Sequence, residues 1–434
     1  MRKNKASGIL LFLLIISAAA FSQQTTNSPY SKYGIGVLRP QYFSQNFAMG
    51  GVGIGLRSDR NIEFLNPASY SDIVVTTFDV GYTNNALWLK DGSESQYQNN
   101  PYIDHLAFAF PVVKDIWGMS FGAMPYSNTG YLYDEVISDP VAGDVSIYSE
   151  GEGAINKAYL GNAFAIKLDS SSEISIGSNN YFLFGDMNHD QKVIYGDLSN
   201  SYNIWKVRDV SVADFGMDVG LQYQKSFYNA DKEKYKLTFG ATYGLAADLD
   251  GKRTELTRTF SGNIDFGTVK DTTEFIDDVD NITQLPSELG FGISLEKENK
   301  WLVAVDYKTA NWGSLSSNDP IYSYKSNYSL AAGIEFIPRN DGTGNYFQRL
   351  AYRFGTRYAT SYMQIDNIDW TEYGITFGVG LPIRRSENSY PRLNLGFEYG
   401  NRGTTEAGLI QEKFINFNIG ITINAVWFQK RKYD

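Results

Sequence analysis

The chain has 434 residues with 38 Lys+Arg against 48 Asp+Glu, a formal net charge of −10, and no cysteine. The acidic balance argues against a nucleic-acid binder, which needs a basic face. The missing cysteine excludes disulfides, thiolate metal sites and an acylated N-terminal Cys. Tyr (31), Phe (27) and Gly (41) are abundant and Pro (12) is scarce. No helical periodicity and no Pro- or Ser-rich linker divides the chain, so one closed β structure suits it better than a row of soluble domains.

Arg2, Lys3 and Lys5 precede an uncharged apolar run from Gly8 through Ala20, which ends in Ala20-Phe21-Ser22. A basic start, a short apolar middle and a small-residue exit read as a secretory signal over residues 1–22. The run falls short of the ~20 residues that a membrane-spanning helix needs. Its removal leaves 35 Lys+Arg (38 − 3) against 48 Asp+Glu, a net −13.

Residues 23–72 form the next unit, and from residue 27 they show no alternation. They include Tyr33-Gly34-Ile35-Gly36, Ala48-Met49-Gly50-Gly51-Val52-Gly53-Ile54-Gly55 and Asn66-Pro67-Ala68. So much Ile, Leu, Phe and Met implies order against a larger body. Compact Gly-rich backbone suits a plug inside a barrel lumen.

From residue 73 to 434 the dominant signal is period-two alternation. Ile415, Phe417, Ile419, Ile421 and Ile423 share one face, and Asn416, Asn418, Gly420, Thr422 and Asn424 the other. The same pattern runs through Tyr373–Leu381, Leu393–Gly400, Phe215–Tyr223 and Glu288–Leu295. Predicted strands span 73–82, 104–111, 116–126, 156–167, 173–184, 209–224, 235–247, 286–296, 300–311, 327–337, 348–360, 371–382, 391–400 and 412–427. A soluble sandwich also alternates. Two features favour a membrane barrel: polar faces rich in Gly and Asn, and aromatic residues at segment ends (Trp117, Trp301, Tyr307, Trp312, Tyr358, Tyr373, Tyr399, Trp427) where interfacial girdles lie. Fourteen strands, an even number, place both ends in the periplasm. The connections 83–103, 127–155, 185–208 and 248–285 then become long outer loops. A closed sheet is required because backbone groups in hydrocarbon must be satisfied internally. The expected location is the outer membrane of a Gram-negative cell, among its lipids.

The run from Ser44 to Ile73, with Ala48-Met49-Gly50-Gly51 followed by Asn66-Pro67-Ala68, resembles the hatch of FadL-type outer-membrane transporters of long-chain fatty acids and aromatic hydrocarbons. Gly380-Leu381-Pro382 and Phe215-Gly216-Met217-Asp218-Val219-Gly220 are similar to that family as well. The resemblance implies a fourteen-stranded barrel with an N-terminal hatch that includes Met49, Gly50, Gly51, Asn66, Pro67 and Ala68. It implies passive uptake of a hydrophobic small molecule, with segments 185–208 and 248–285 as its capturing pair. The same superfamily includes barrels that serve protein secretion. The alternative is therefore a non-transporting subunit or carrier of a secretion or surface-assembly system, with partner proteins of that system.

Enzymatic chemistry has no foothold: of the two histidines, His105 opens an apolar strand without a nearby nucleophile, and no cofactor or metal is expected. Asp186-Met187-Asn188-His189-Asp190 starts like a calcium loop but continues with Gln191 and Asp197 where Gly and Glu are needed. Gly51-Val52-Gly53-Ile54-Gly55 lacks the Lys-Ser/Thr of a phosphate loop. Asp79, Asp214, Asp218, Asp306, Lys308, Glu335, Arg353, Arg357 and Glu398 share phase with the lumen face. They read first as cross-strand pairs, such as Glu335 with Arg353. The sharper reading makes Arg353 or Arg357 the binder of a fatty-acid carboxylate.

Overall fold

The computed structural model describes residues 26–425 except 93, 141–142, 197–201, 263–266, 318, 340–344 and 384–388; the signal segment 1–22 and Trp427 lie outside the described residues. Strands β1 (Thr76–Asp91), β2 (Glu94–Val113), β3 (Trp117–Asp139), β4 (Gly143–Lys167), β5 (Ser172–Tyr195) and β6 (Asn203–Tyr228) follow one another as antiparallel neighbours. Next come β7 (Lys234–Gly244), β8 (Ala247–Ser261), β9 (Thr268–Leu285), β10 (Glu288–Lys297), β11 (Trp301–Ala310) and β12 (Asn327–Phe336). β13 (Ala351–Thr360), β14 (Thr371–Pro382), β15 (Ser389–Arg402) and β16 (Gln411–Ala425) complete the wall. β8 continues β7 upward and β9 continues into β10, so the wall is a closed barrel of fourteen staves. β16 closes on β1, from Ala425 opposite Thr76 to Gln411 opposite Lys90. Each stave overlaps one predicted segment.

Alternation sorts the faces as expected. Phe215 (72% exposed), Ile375, Phe377, Phe397 and Phe417 point outward, while Thr376, Glu398 and Asn418, in the opposite phase, are buried. Tyr307, Tyr358, Tyr373 and Tyr399 stand exposed near the outer ends of their staves, as a girdle requires. Trp312 departs from that expectation. It sits in a 3₁₀ turn beyond β11, buried among the rings that close the outer mouth.

The long connections are a second departure. Residues 83–103, 127–155, 185–208 and 248–285 largely continue the strands beyond the membrane. β3 and β4 remain in register up to Asp139 opposite Gly143, and Asn203–Val212 of β6 pairs with β8. A strand with water on both sides shows no apolar–polar contrast, although its backbone ladder continues unchanged. A bulge between Pro125 and Ser127 also flips the phase of β3 midway. The heights are therefore unequal: β3 to β6 have 23, 25, 24 and 26 residues, whereas β11, β12 and β13 have 10 each.

Candidate functional site

Residues 26–73 fill the lumen. Their only α-helical turn, Ser44–Phe47, is stopped by Gly50 (φ +74°) and Gly51 (φ +85°), whose positive φ suits glycine. The Gly51 amide donates back to the Asn46 carbonyl at 2.8 Å. Met49 is buried with Val52, Leu56 and Ala304 of β11. Asn66, wholly buried, caps the 3₁₀ turn Pro67–Asp72 by accepting from the Ala68 amide at 3.1 Å, and its own amide reaches the Ile54 carbonyl at 2.9 Å. Pro67 starts that turn, where a missing N–H costs nothing.

The wall receives this segment on glycine. A Cβ on Gly118 would lie 1.8 Å from the Tyr70 carbonyl oxygen, and one on Gly240 2.0 Å from that of Ile54. On Gly355 it would meet the Met49 carbonyl carbon at 2.1 Å. The small residues of the polar phase are thus the bed of the plug. Polar side chains fasten it. Asp306 accepts from the Gly53 and Ile54 amides at 2.6 and 2.8 Å, and Ser294 donates to the Gly55 carbonyl at 2.6 Å. Gln222 donates to the carbonyls of Ile54 and Leu56, both at 2.9 Å. Arg57 pairs with Asp72 and with Glu173 of β5 at 2.7 and 2.8 Å.

Arg353 and Arg357 both project into the lumen and both meet carboxylates. Arg353, 2% exposed, donates to Glu335 and to the Asn394 side-chain oxygen, each at 2.7 Å. Arg357 lies 2.5 Å from both Glu398 and Glu372. Lys308 pairs with Glu288, and Arg402 with Glu412. Asp79 and Asp218 also belong to the lumen wall, whereas Asp214 stands at the outer rim, accepting from the Asp250 amide.

Above the plug lies a chamber of about 300 Å³, lined by Arg39, Tyr42, Lys308, Arg357, Glu372 and Arg402 among others. Its roof is a set of rings. Tyr30 meets Trp370 at 4.6 Å, Trp312 meets Tyr362 at 4.6 Å, and Tyr324 packs on both Trp312 and Tyr362. A short ladder between Tyr322–Tyr324 and Met363–Ile365 ties two outer connections together across this roof. A smaller recess of about 140 Å³, including Val37, Leu38, Tyr362, Met363 and Trp370, opens beneath it.

Three features escaped the sequence reading. His105 is held between Asp79 (2.6 Å) and Asp104 (3.0 Å), with Phe43 of the plug stacked on its ring at 4.0 Å. Its phase with Ala107 and Ala109 was a readable signal, but the bulge opposite Gly81 and Tyr82 was not. Lys157 is buried beneath three rings, 4.3 Å from Tyr181, 4.8 Å from Tyr126 and 5.7 Å from Phe64. Glu63 of the plug accepts from Gln45 and Asn46 at 2.9 and 2.6 Å, and burial pushes its carboxyl up to about 7.

The architecture has known counterparts. The Pseudomonas putida toluene transporter TodX is 17% identical, covering 91% of this chain and 100% of that chain at a TM-score of 0.57. The Ralstonia pickettii toluene transporter TbuX is 14% identical, covering 89% and 99% at 0.57. A Pseudomonas aeruginosa FadL homologue is 10% identical, covering 90% and 100% at 0.55. At such identities the likeness is one of fold, and it bears out the FadL-type resemblance at that level. The sequence has no match among curated proteins. A family profile, by contrast, matches from end to end, over residues 1–434. That end-to-end match makes the assignment: the chain belongs to the BamG family.

Proposed function

We propose that the protein sits in the outer membrane of a Gram-negative cell as a stoppered barrel. It acts through its surfaces, as a subunit or carrier of a protein-secretion or surface-assembly system. The fastening of the plug carries this reading. Nine direct hydrogen bonds join residues 53–70 to wall residues Asp306, Ser294, Gln222, Leu221, Asn179 and Asn424. Each contributes ~1 kcal/mol, and an open lumen gives up all of them together. A passive passage supplies no energy against such a bias. The chamber above also sets paired charges, Lys308, Arg357, Glu372 and Arg402 among them, beside its aromatic and aliphatic residues, where a hydrocarbon site calls for few polar groups.

A second reading, passive uptake of a small hydrophobic molecule such as a fatty acid, draws on the aromatic recess beneath the roof and on the toluene transporters that share the fold. It requires a local shift of the plug rather than its release. Proteoliposomes separate the two. The stoppered barrel gives entry of toluene and oleate no faster than protein-free vesicles, and detergent extracts yield stoichiometric outer-membrane partners. Protein-dependent entry with no partner recovered would reverse the order of the two readings.

A further inference from the structure

At the end where the turns are short, the mouth of the barrel opens as a bowl of about 980 Å³. Its floor is the plug segment Ser58–Asn61, and its sides are the ends of the short staves. In a chain of net charge −10 this surface has the opposite sign. Six cations line it, Arg60, Lys297, Lys300, Arg339, Arg349 and Arg392, against three carboxylates. All three are engaged, Glu335 with Arg353 at 2.7 Å, Glu296 with Lys236 at 3.8 Å and Asp59 with Arg60 at 3.4 Å. Lys297 and Lys300 share Glu233 at 2.6 and 3.5 Å, which leaves the three other arginines to carry the positive charge. Among the described residues, Arg339, Arg349 and Arg392 form no ion pair, and Arg339 and Arg349 are exposed. Trp301, Ile337 and Tyr346 add apolar surface between the cations.

We infer that this bowl docks an acidic segment of a periplasmic protein, one carrying aromatic or aliphatic residues among its Asp and Glu. Charge complementarity and concavity select the partner. Guanidinium forks match carboxylates in pairs, and exposed cations around a depression steer an anionic chain toward it. Position argues against lipid headgroups. Arg60 belongs to the plug and Glu335 lies in lumen phase, so the bowl opens along the barrel axis while lipids surround the outer wall. Volume argues against a single phosphate, since the space matches the upper range of sites that enclose whole small molecules. The inference stands whether or not the barrel conducts.

The test uses the full-length barrel in detergent and a short fluorescein-labelled peptide of Glu residues interrupted by Tyr, read by anisotropy. Binding is expected to weaken at least tenfold in Arg339→Glu/Arg349→Glu. It should weaken comparably for wild-type protein in ~1 M salt, where the Debye length is ~3 Å. Lys252→Glu, at the opposite end, should leave it unchanged. Equal binding of the same peptide with Gln in place of Glu would overturn the inference, and that comparison needs no variant to fold. So would unchanged affinity in the double variant. If polyphosphate or phosphatidylglycerol vesicles bind more tightly than the peptide through the same two arginines, the bowl is a phosphate site and the acidic-peptide assignment fails.

Discussion

Asp306 is the sharpest point at which to loosen the plug. One of its carboxylate oxygens accepts two backbone amides of the plug, Gly53 at 2.6 Å and Ile54 at 2.8 Å, at a site 3% exposed. Hydrogen bonds to a charged acceptor contribute ~1.5–3 kcal/mol each, so Asp306→Ala should remove about 3–6 kcal/mol of local stability. At 1.4 kcal/mol per decade this lowers amide-exchange protection over residues 50–56 by roughly 10² to 10⁴-fold. The barrel itself is held by the stave ladders and should keep its folded gel mobility and melting temperature. Asp306→Asn retains an accepting oxygen and should lose only part of the protection. Hydrogen exchange with mass spectrometry on the three proteins in detergent checks the series. Wild-type protection over 50–56 in a folded Asp306→Ala barrel would refute the idea that this carboxylate holds the plug.

Further predictions follow from the same lumen. Glu63 titrates at about 7 in the folded protein against an ordinary 4.5. A raised carboxyl favours the protonated folded state, so its contribution to plug docking is complete below about 4.5 and lost as pH rises through about 7. Exchange protection of residues 44–64 should fall across that window in wild type and stay flat in Glu63→Gln. Gly118→Ala places a methyl where the Tyr70 carbonyl already lies, 1.8 Å away, and should cost about 1–3 kcal/mol as overpacking, read as a lower melting temperature or reduced folding yield. Glu335→Ala leaves buried Arg353 without its carboxylate and should cost ~3–5 kcal/mol, while Glu335→Ala/Arg353→Met recovers most of the loss in thermal unfolding. If Arg353 serves pairing rather than a ligand, Arg353→Met in that double variant leaves oleate binding by isothermal titration unchanged from wild type.

The stave count was legible because lipid imposes a single rule on the outward face, and Ile375, Phe377 and Phe397 obey it. The plug was legible for a complementary reason: Met49, Ile54 and Ile62 are too apolar to remain in water, and Gly118, Gly240 and Gly355 leave room for it. What lay above the membrane was hidden. In β9, Asp271, Glu274, Asp277 and Asp280 mix with Phe275 and Ile282 on a strand exposed on both faces, so nothing in its pattern separates it from a loop. Trp312 was misplaced because a girdle and a lumen roof both take aromatic residues at strand ends. The basic bowl was invisible for a further reason. Arg60, Lys300, Arg339 and Arg392 are far apart in sequence, and only barrel closure gathers them.

At ~3.3 Å per residue and a tilt near 40°, staves of 23 to 26 residues rise about 60 Å along the barrel axis, and those of 10 about 25 Å. With an apolar band ~25 Å tall, one flank ends level with the outer leaflet while the other stands some 35 Å above it as a palisade. Neighbours diffusing in the same leaflet therefore meet two different obstacles. A protein with a bulky ectodomain can nestle against the low sill but is held off by the palisade. The molecule has a front and a back in the plane of the membrane, and a large companion is admitted from the front.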